Sequence, residues 1–87
     1  MRQTELVEVI LPRVDPEMRE GTIIKWYKHE RDCVKAGEPL FQMEAEKASI
    51  DIESPDTGRL ISILVHEGST VPVGTVVAII EPDPTCV

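Results

Sequence analysis

The chain has 87 residues, enough for one compact domain with a thin hydrophobic core but too few for a deep catalytic cleft. Aromatic residues make up only 3% of it, so the core has to be built mainly from Val, Ile and Leu. The net charge of −7 argues against nucleic acid and anionic membranes as partners, because both require a basic surface. No apolar run is long enough to span a membrane, and residues 1–8 lack a signal-peptide pattern.

Short segments of β type follow one another along the whole chain. They are rich in branched residues, are bounded by Gly, Pro, Asp or Glu, and cover residues 6–11, 22–27, 40–44, 49–52, 60–65 and 76–80. No stretch combines a helical period with helix caps. The sequence therefore predicts an all-β fold, either two small antiparallel sheets packed face to face or a flattened barrel. We expect the domain to span residues 6–82, with tails at 1–5 and 83–87, and one of Trp26 and Tyr27 to lie in the core.

The sequence repeats itself once, with an offset of 37 residues and no gap. Seven of 24 aligned positions are identical, from the pair Gly21 and Gly58 to the pair Glu44 and Glu81. Because the matched residues include glycines at matched turns, we interpret the repeat as a duplication. It predicts two similar half-domains related by a pseudo-two-fold axis.

Lys47 differs from the other lysines in its position between two predicted strands. Only residues 45–48 are available to reverse the chain there, so Lys47 is expected at the tip of a tight, exposed hairpin. Glu44, Glu46 and Asp51 are close in sequence and would keep an unmodified amine charged, so acylation would require its deprotonation. The pseudo-two-fold axis is expected to put this hairpin at one end of the domain and both termini at the other. Without further context, a solvated surface charge remains the alternative.

Other side chains that carry chemistry do not form a recognisable site in the sequence. Cys33 and Cys86 fit no metal or redox spacing, and we expect two reduced thiols. His29 and His66 are repeat mates, each followed by Glu, and are expected at the surface because a metal site needs more ligands. No Ser/His/Asp set and no nucleotide-binding loop is present, so we predict no catalytic residue and no metal ligand.

Two runs resemble the lipoyl domain of the acyltransferase components of 2-oxo acid dehydrogenase complexes. These are Asp-Cys-Val-Lys-Ala-Gly-Glu-Pro-Leu at 32–40 and Glu-Ala-Glu-Lys-Ala at 44–48, and the resemblance continues from about residue 9 to residue 81. It implies a flattened barrel-sandwich of two four-stranded antiparallel sheets. It also implies a lipoyl group covalently attached to Lys47, with Glu44, Glu46 and Ala48 recognised by the attaching enzyme. The family usually has Thr and Asp where this chain has Ala45 and Glu46.

The biotin carrier domain, which serves biotin-dependent carboxylases, has the same fold and is the alternative, with biotin on the same lysine. Its usual run is Ala-Met-Lys-Met, and Glu46 and Ala48 replace both methionines here. An unmodified interaction module of the same fold is a third possibility. A further departure from the family is Arg31, which stands where glycine is common and where the second half has Gly68. A glycine at that turn indicates a backbone conformation that is costly for other residues.

The connection between residues 11 and 21 is the longest loop and is extended relative to its counterpart, residues 54–57. Either a recognition element or a neutral insertion explains such an extension. The loop resembles that of lipoyl domains from pyruvate, acetoin or branched-chain systems. By this resemblance it lies beside the hairpin and helps the decarboxylase to select its carrier, with Val14, Asp15, Glu17 and Met18 as candidate residues.

The resemblance also implies the partners and the role of the domain. A lipoate ligase or transferase would attach lipoate, a thiamine-dependent decarboxylase would acylate it, an acyltransferase core would accept the acyl group, and dihydrolipoyl dehydrogenase would reoxidise the dithiol. The domain is then a monomeric carrier and no enzyme by itself, whether free-standing or a segment of a dihydrolipoamide acyltransferase component. The bacterial cytoplasm and the mitochondrial matrix are the expected locations.

Overall fold

The computed structural model describes residues 5–46 and 48–86. Within them the regular elements are strands, and no helix is long and apolar enough to cross a membrane. The strands are β1 Val7–Ile10, β2 Glu20–Trp26, β3 Cys33–Val34, β4 Pro39–Glu44, β5 Ser49–Glu53, β6 Gly58–Ile63, β7 Thr70–Pro72 and β8 Val76–Pro82.

These strands form two four-stranded antiparallel sheets, one in the order β1-β8-β6-β3 and the other in the order β5-β4-β2-β7. The predicted all-β architecture is therefore confirmed. Six strands correspond to the six predicted segments. The sequence does not predict β3 and β7, which have two and three residues, because alternation with a period of two cannot be recognised over so short a stretch.

The predicted pseudo-two-fold relation between the halves is confirmed by the strand order and by hydrogen bonds between the two halves. An offset of 37 residues matches β2 to β6, β3 to β7 and β4 to β8. The backbone N–H of Leu60 donates to the carbonyl of Asp32 at 2.9 Å, and the same offset relates this bond to the one from Ile23 to Ser69, at 3.0 Å. Each half therefore supplies a turn that hydrogen-bonds to the sheet of the other.

Two carboxylates join the halves in the same symmetric manner. Glu30 Oε2 accepts the backbone N–H of Ile63 at 2.8 Å, and Glu67 Oε2 accepts that of Trp26 at 2.9 Å. Both donors are the last residues of their strands, and each pairs with one neighbouring strand, Trp26 with Phe41 and Ile63 with Ala78. The carboxylates accept the backbone N–H groups of these two residues and so satisfy them. The repeated His-Glu pair is thus a structural element through its glutamates, while His29 and His66 lie at the surface as predicted.

The core lies between the two sheets and is almost entirely aliphatic. Its fully buried side chains come from both halves: Leu11, Ile23, Val34, Leu40, Phe41, Met43, Leu60, Val77 and Ile80. Trp26 joins this core with its ring centroid 4.9 Å from that of Phe41, and its indole N–H donates to the carbonyl of Val65 at 2.9 Å. Tyr27 lies at the surface, so the prediction of a single core aromatic from this pair is confirmed.

The turn at Arg31 has the glycine-like backbone that the repeat indicates. Arg31 has a φ of 81°, and its repeat mate Gly68 has a φ of 90°. This is the left-handed region, which side chains other than glycine enter at a cost. Arg31 therefore holds an unfavourable conformation that the hydrogen bonds of the turn impose, among them its N–H to the carbonyl of Leu60.

The prediction of two reduced thiols is wrong: Cys33 and Cys86 form a disulfide, with Cα atoms 5.1 Å apart. After β8 the chain turns back, with the N–H of Asp83 donating to the carbonyl of Thr57 at 3.4 Å. A second bond, from the N–H of Cys86 to the carbonyl of Asp83 at 3.0 Å, closes this turn. The two cysteines are 53 residues apart in sequence, and the pairing of β3, β6 and β8 in one sheet brings them together.

Candidate functional site

The hairpin predicted to carry Lys47 is formed by β4 and β5. The last residue pair of this ladder is Glu44 with Ser49, and the N–H of Ala45 donates to the carbonyl of Ala48 at 2.8 Å, so the reversal is tight. Lys47 itself lies outside the described residues. Its flanking residues Glu44, Glu46 and Ala48 are exposed, so whatever recognises this tip can reach them.

The base of the hairpin is fixed to the core. Met43 is fully buried one residue before the end of β4, and Ala45 packs against the core just beyond it. Opposite Met43, Ile50 on β5 is half-buried. Because alternate side chains of β4 point into the core up to the reversal, the hairpin projects from a rigid base.

The long loop lies beside this hairpin, as the family resemblance implied. A groove of about 590 Å³ is lined by residues 17–22 on one side, residues 44–46 on the other, and Thr70 of β7. Thr22 and Thr70 join the two strands below it through a hydroxyl pair 2.7 Å apart. The sequence does not predict the contribution of Thr70, because β7 is too short to be recognised.

The loop has a defined shape because its polar groups bond to one another. The Asp15 carboxylate accepts the N–H of Glu17 at 2.9 Å, and the Asp15 carbonyl accepts the N–H of Met18 at 2.9 Å. The Arg13 guanidinium donates to the Met18 carbonyl at 2.8 Å. Of the four predicted recognition residues, Val14, Asp15 and Glu17 are exposed, whereas Met18 is only 5% exposed and belongs to the core. Met18 therefore anchors the loop.

Most charged side chains that line the groove are acidic. Glu17 and Glu20 come from the loop and the start of β2, and Glu44 and Glu46 come from the hairpin, whereas Arg19 is the single cation among the described residues of the lining. A surface of this sign attracts basic side chains of a partner and repels anionic ones.

Asp51, the third acid close to Lys47 in sequence, bonds to a different partner. Its carboxylate accepts the phenol O–H of Tyr27 at 2.7 Å. This hydrogen bond raises the pKa of Tyr27 above its ordinary value, with burial and the Asp51 charge adding to the effect. Asp51 therefore braces the outer face of β5, and the acidic character next to the hairpin tip comes from Glu44 and Glu46.

The hairpin and the end of the described chain lie at opposite ends of the molecule. β5 leads away from the hairpin to Glu53, and the chain then passes through residues 54–57 to Gly58, which pairs with Pro82. Val7 pairs with Ile80, which brings β1 to the same end. The longest extent of the molecule is 45 Å. Within the described residues, the hairpin thus lies at one end of the domain, and the start of β1 and the end of β8 lie at the other.

The histidines do not contribute to a second site of recognisable chemistry. His29 is close to Asp32, with Nδ1 3.6 Å from the carboxylate, and His66 is exposed. Among residues 5–46 and 48–86, no three His, Cys, Asp or Glu side chains are placed to hold a metal ion.

A tight hairpin between β4 and β5, a loop beside it and the end of β8 at the opposite end form a small β-domain of the carrier type. Residues 7–80 match the family model described as "Biotin-requiring enzyme", the biotin/lipoyl attachment family, and the chain belongs to this family.

Among curated proteins, the chain is 45% identical over 74 residues to the dihydrolipoyllysine-residue acetyltransferase component of the pyruvate dehydrogenase complex of Zymomonas mobilis. It is 41% identical over 73 residues to the mitochondrial acetyltransferase component of Caenorhabditis elegans. These alignments cover 84% and 83% of this chain, but only 17% and 14% of the relatives. The chain thus spans less than a fifth of the length of these relatives and resembles their lipoyl domains.

Solved structures show the same fold. The lipoyl domain of the 2-oxoglutarate dehydrogenase complex from Azotobacter vinelandii aligns with a TM-score of 0.71 at 23% identity, over 88% of this chain and 99% of that one. A single-chain long-chain acyl-CoA carboxylase aligns with a TM-score of 0.74 at 22% identity, over 90% of this chain and 7% of that one. At these identities the similarity shows the fold alone.

Proposed function

We propose that Lys47 carries a lipoyl group in amide linkage and that the domain transports acyl groups and electrons between the enzymes of a 2-oxo acid dehydrogenase complex. The tight hairpin on a rigid base, in a chain of this family, is the observation that carries the proposal. Glu46 and Ala48 flank the lysine and favour lipoate over biotin, because a biotin carrier usually has methionine at both positions. The domain supplies no catalytic group; it raises the effective concentration of a tethered group at each active site.

Attachment is tested by incubating the chain separately with a lipoate ligase and a biotin ligase, each with its acid and ATP, followed by intact-mass measurement. We expect a gain of one lipoyl group with the first enzyme and no biotinyl gain with the second. Lys47→Arg should abolish the gain. Lys35→Arg, in the exposed turn after β3, is the matched control and should keep it. A biotinyl gain, or no gain with either enzyme, would contradict the proposal.

The exposed loop residues Val14, Asp15 and Glu17 are the proposed contact of the decarboxylase component. They lie next to the groove that borders the hairpin, so an enzyme that receives the arm also meets the loop. The acyltransferase core and the dihydrolipoyl dehydrogenase complete the cycle. The named relatives belong to pyruvate dehydrogenase complexes, one of them mitochondrial, which supports a pyruvate-type complex and a location in the bacterial cytoplasm or the mitochondrial matrix.

The loop contact is tested by the rate of reductive acylation of the lipoylated domain by a pyruvate decarboxylase component. Glu17→Gln should lower kcat/KM about fivefold, equivalent to ~1 kcal/mol of transition-state stabilisation. The rate of lipoylation by the ligase should not change. Glu8→Gln, an equivalent change on the exposed side of β1, should leave both rates unchanged. Equal effects of the two substitutions would show that net charge, rather than the loop, controls recognition.

A further inference from the structure

The Cys33–Cys86 disulfide joins two residues that differ in exposure. Cys33 starts the two-residue β3 at the edge of its sheet and is exposed. Cys86 is only 2% exposed and belongs to the turn that follows β8. An incoming thiolate can therefore reach the sulfur of Cys33 much more easily than that of Cys86, and access decides which sulfur is attacked.

The turn that holds Cys86, residues 83–86, has few other attachments to the domain. Besides the disulfide, its described polar contacts with the rest are the long bond from the Asp83 N–H to Thr57 and the pair of Asp83 with Arg59, 3.8 Å apart. The bonds from Thr85 to the Asp83 carboxylate lie within the turn and only preserve its shape. Exposed ion pairs contribute little. The disulfide is thus the principal link between this turn and β3.

We propose that this disulfide is a redox site of the domain, that its electron donor is a vicinal dithiol of the dihydrolipoyl type, and that reduction releases residues 83–86 while both sheets stay folded. In the first step a donor thiolate attacks Cys33 Sγ, the bond between the two cysteine sulfurs breaks, and Cys86 leaves as a thiolate that takes up a proton. In the second step the donor's remaining thiolate attacks the donor sulfur that is bonded to Cys33 Sγ, and a ring closes. The bond to Cys33 Sγ breaks, and Cys33 leaves as a thiolate that is protonated. Two electrons and two protons pass from the donor, which becomes a cyclic disulfide.

The dithiol class follows from the second step. A vicinal dithiol resolves the mixed disulfide within one molecule at high effective concentration, whereas a monothiol needs a second encounter. The disulfide and the hairpin lie at opposite ends of the domain, so the donor is a free dithiol or the arm of another copy. The reaction goes beyond the proposed carrier function, since it does not require Lys47 to be modified.

The test uses the unmodified, air-oxidised chain with dihydrolipoamide, and with a monothiol at equal total thiol as the comparison. Free thiols are blocked with an alkylating reagent and counted by intact mass and peptide mapping. We expect two alkylated cysteines, and a rate about tenfold or more above that of the monothiol. Reduction should be first order in added dithiol. A disulfide that resists dihydrolipoamide under native conditions, or equal rates with both reagents, overturns the proposal.

Release of the turn is read by amide hydrogen exchange before and after reduction. The N–H groups of Asp83 and Cys86 should exchange faster after reduction, while those of Met43 and Ala45 stay protected. Cys86→Ser should show the same fast exchange at Asp83 without any dithiol. Unchanged exchange at Asp83 and Cys86 overturns the release, and loss of protection at Met43 would show instead that the bond holds the whole fold together. Because no lipoyl group is needed, these outcomes are independent of whether Lys47 is a carrier site.

Discussion

Arg31→Gly changes a single residue whose backbone conformation suits glycine, and its effect on stability can be worked out from the structure. Arg31 has a φ of 81°, and the left-handed region costs a residue other than glycine about 1–2 kcal/mol. Glycine gains freedom in the unfolded chain, which offsets about 0.5–1 kcal/mol. The Arg31 side chain is exposed and forms none of the ion pairs of the described residues. We therefore expect Arg31→Gly to raise the free energy of unfolding by about 1 kcal/mol.

The repeat supplies the matched control, because Gly68 occupies the equivalent turn with a φ of 90°. A Cβ placed at Gly68 meets nothing within 4 Å, so Gly68→Arg isolates the backbone cost from any steric clash. This substitution should lower the free energy of unfolding by a similar amount. In a domain of this size 1 kcal/mol corresponds to a change in Tm of about 4–8 °C.

Both variants are measured by urea unfolding of the oxidised protein, with the slope m compared to exclude changes in the denatured state. Opposite shifts of similar size are expected, and a chain that carries both substitutions should return close to the starting stability. If Arg31→Gly is neutral or destabilising while Gly68→Arg is tolerated, the φ argument fails, and the side chain of Arg31 would have to stabilise the turn by itself.

Three further substitutions test individual contacts of the fold. Gly58→Ala should lower the free energy of unfolding by about 3 kcal/mol, because its Cβ would clash with the backbone carbonyl oxygen of Glu81 in β8; near-normal stability in urea would contradict this. Glu67→Ala should cost about 1–2 kcal/mol in the same assay by leaving the Trp26 N–H without its acceptor, and a neutral result would mean that water replaces the carboxylate. The Lys35 N–H lowers the pKa of Glu38, so its contribution is present above the unfolded pKa and disappears as the pH falls through the folded pKa. Glu38→Gln should therefore flatten the loss of Tm between about pH 5 and pH 3, and an unchanged pH profile would refute the assignment.

Local features of the sequence were enough to predict most of the strands and the repeat. Alternation with a period of two and turn residues at segment ends are properties of neighbouring residues, so they can be read without a tertiary structure. The repeat adds long-range information, because equivalent residues have to occupy equivalent places. It correctly indicated a glycine-like backbone at Arg31 through comparison with Gly68.

The candidate site was predictable in part for the same reason. The hairpin is predicted because only residues 45–48 separate two strands. The family resemblance at this point depends on the short run of residues around Lys47. The groove could not be predicted, because it is formed by three separate segments, including Thr70 on a strand of three residues. Nor does the sequence distinguish the buried Met18 from its exposed neighbours in the loop.

The sequence by itself determined six of the eight strands, the duplication and the position of Lys47 between two strands. Only the tertiary structure decided which distant residues meet: Glu67 with Trp26 between the two halves, and Cys33 with Cys86 at the end away from the hairpin. The physical reason is that strand patterns depend on neighbours in the chain, whereas these contacts depend on how the sheets pair and stack. Two cysteines 53 residues apart give no local signal that they pair. In the folded domain they form the disulfide that we propose is sensitive to dithiols, at the end opposite the hairpin.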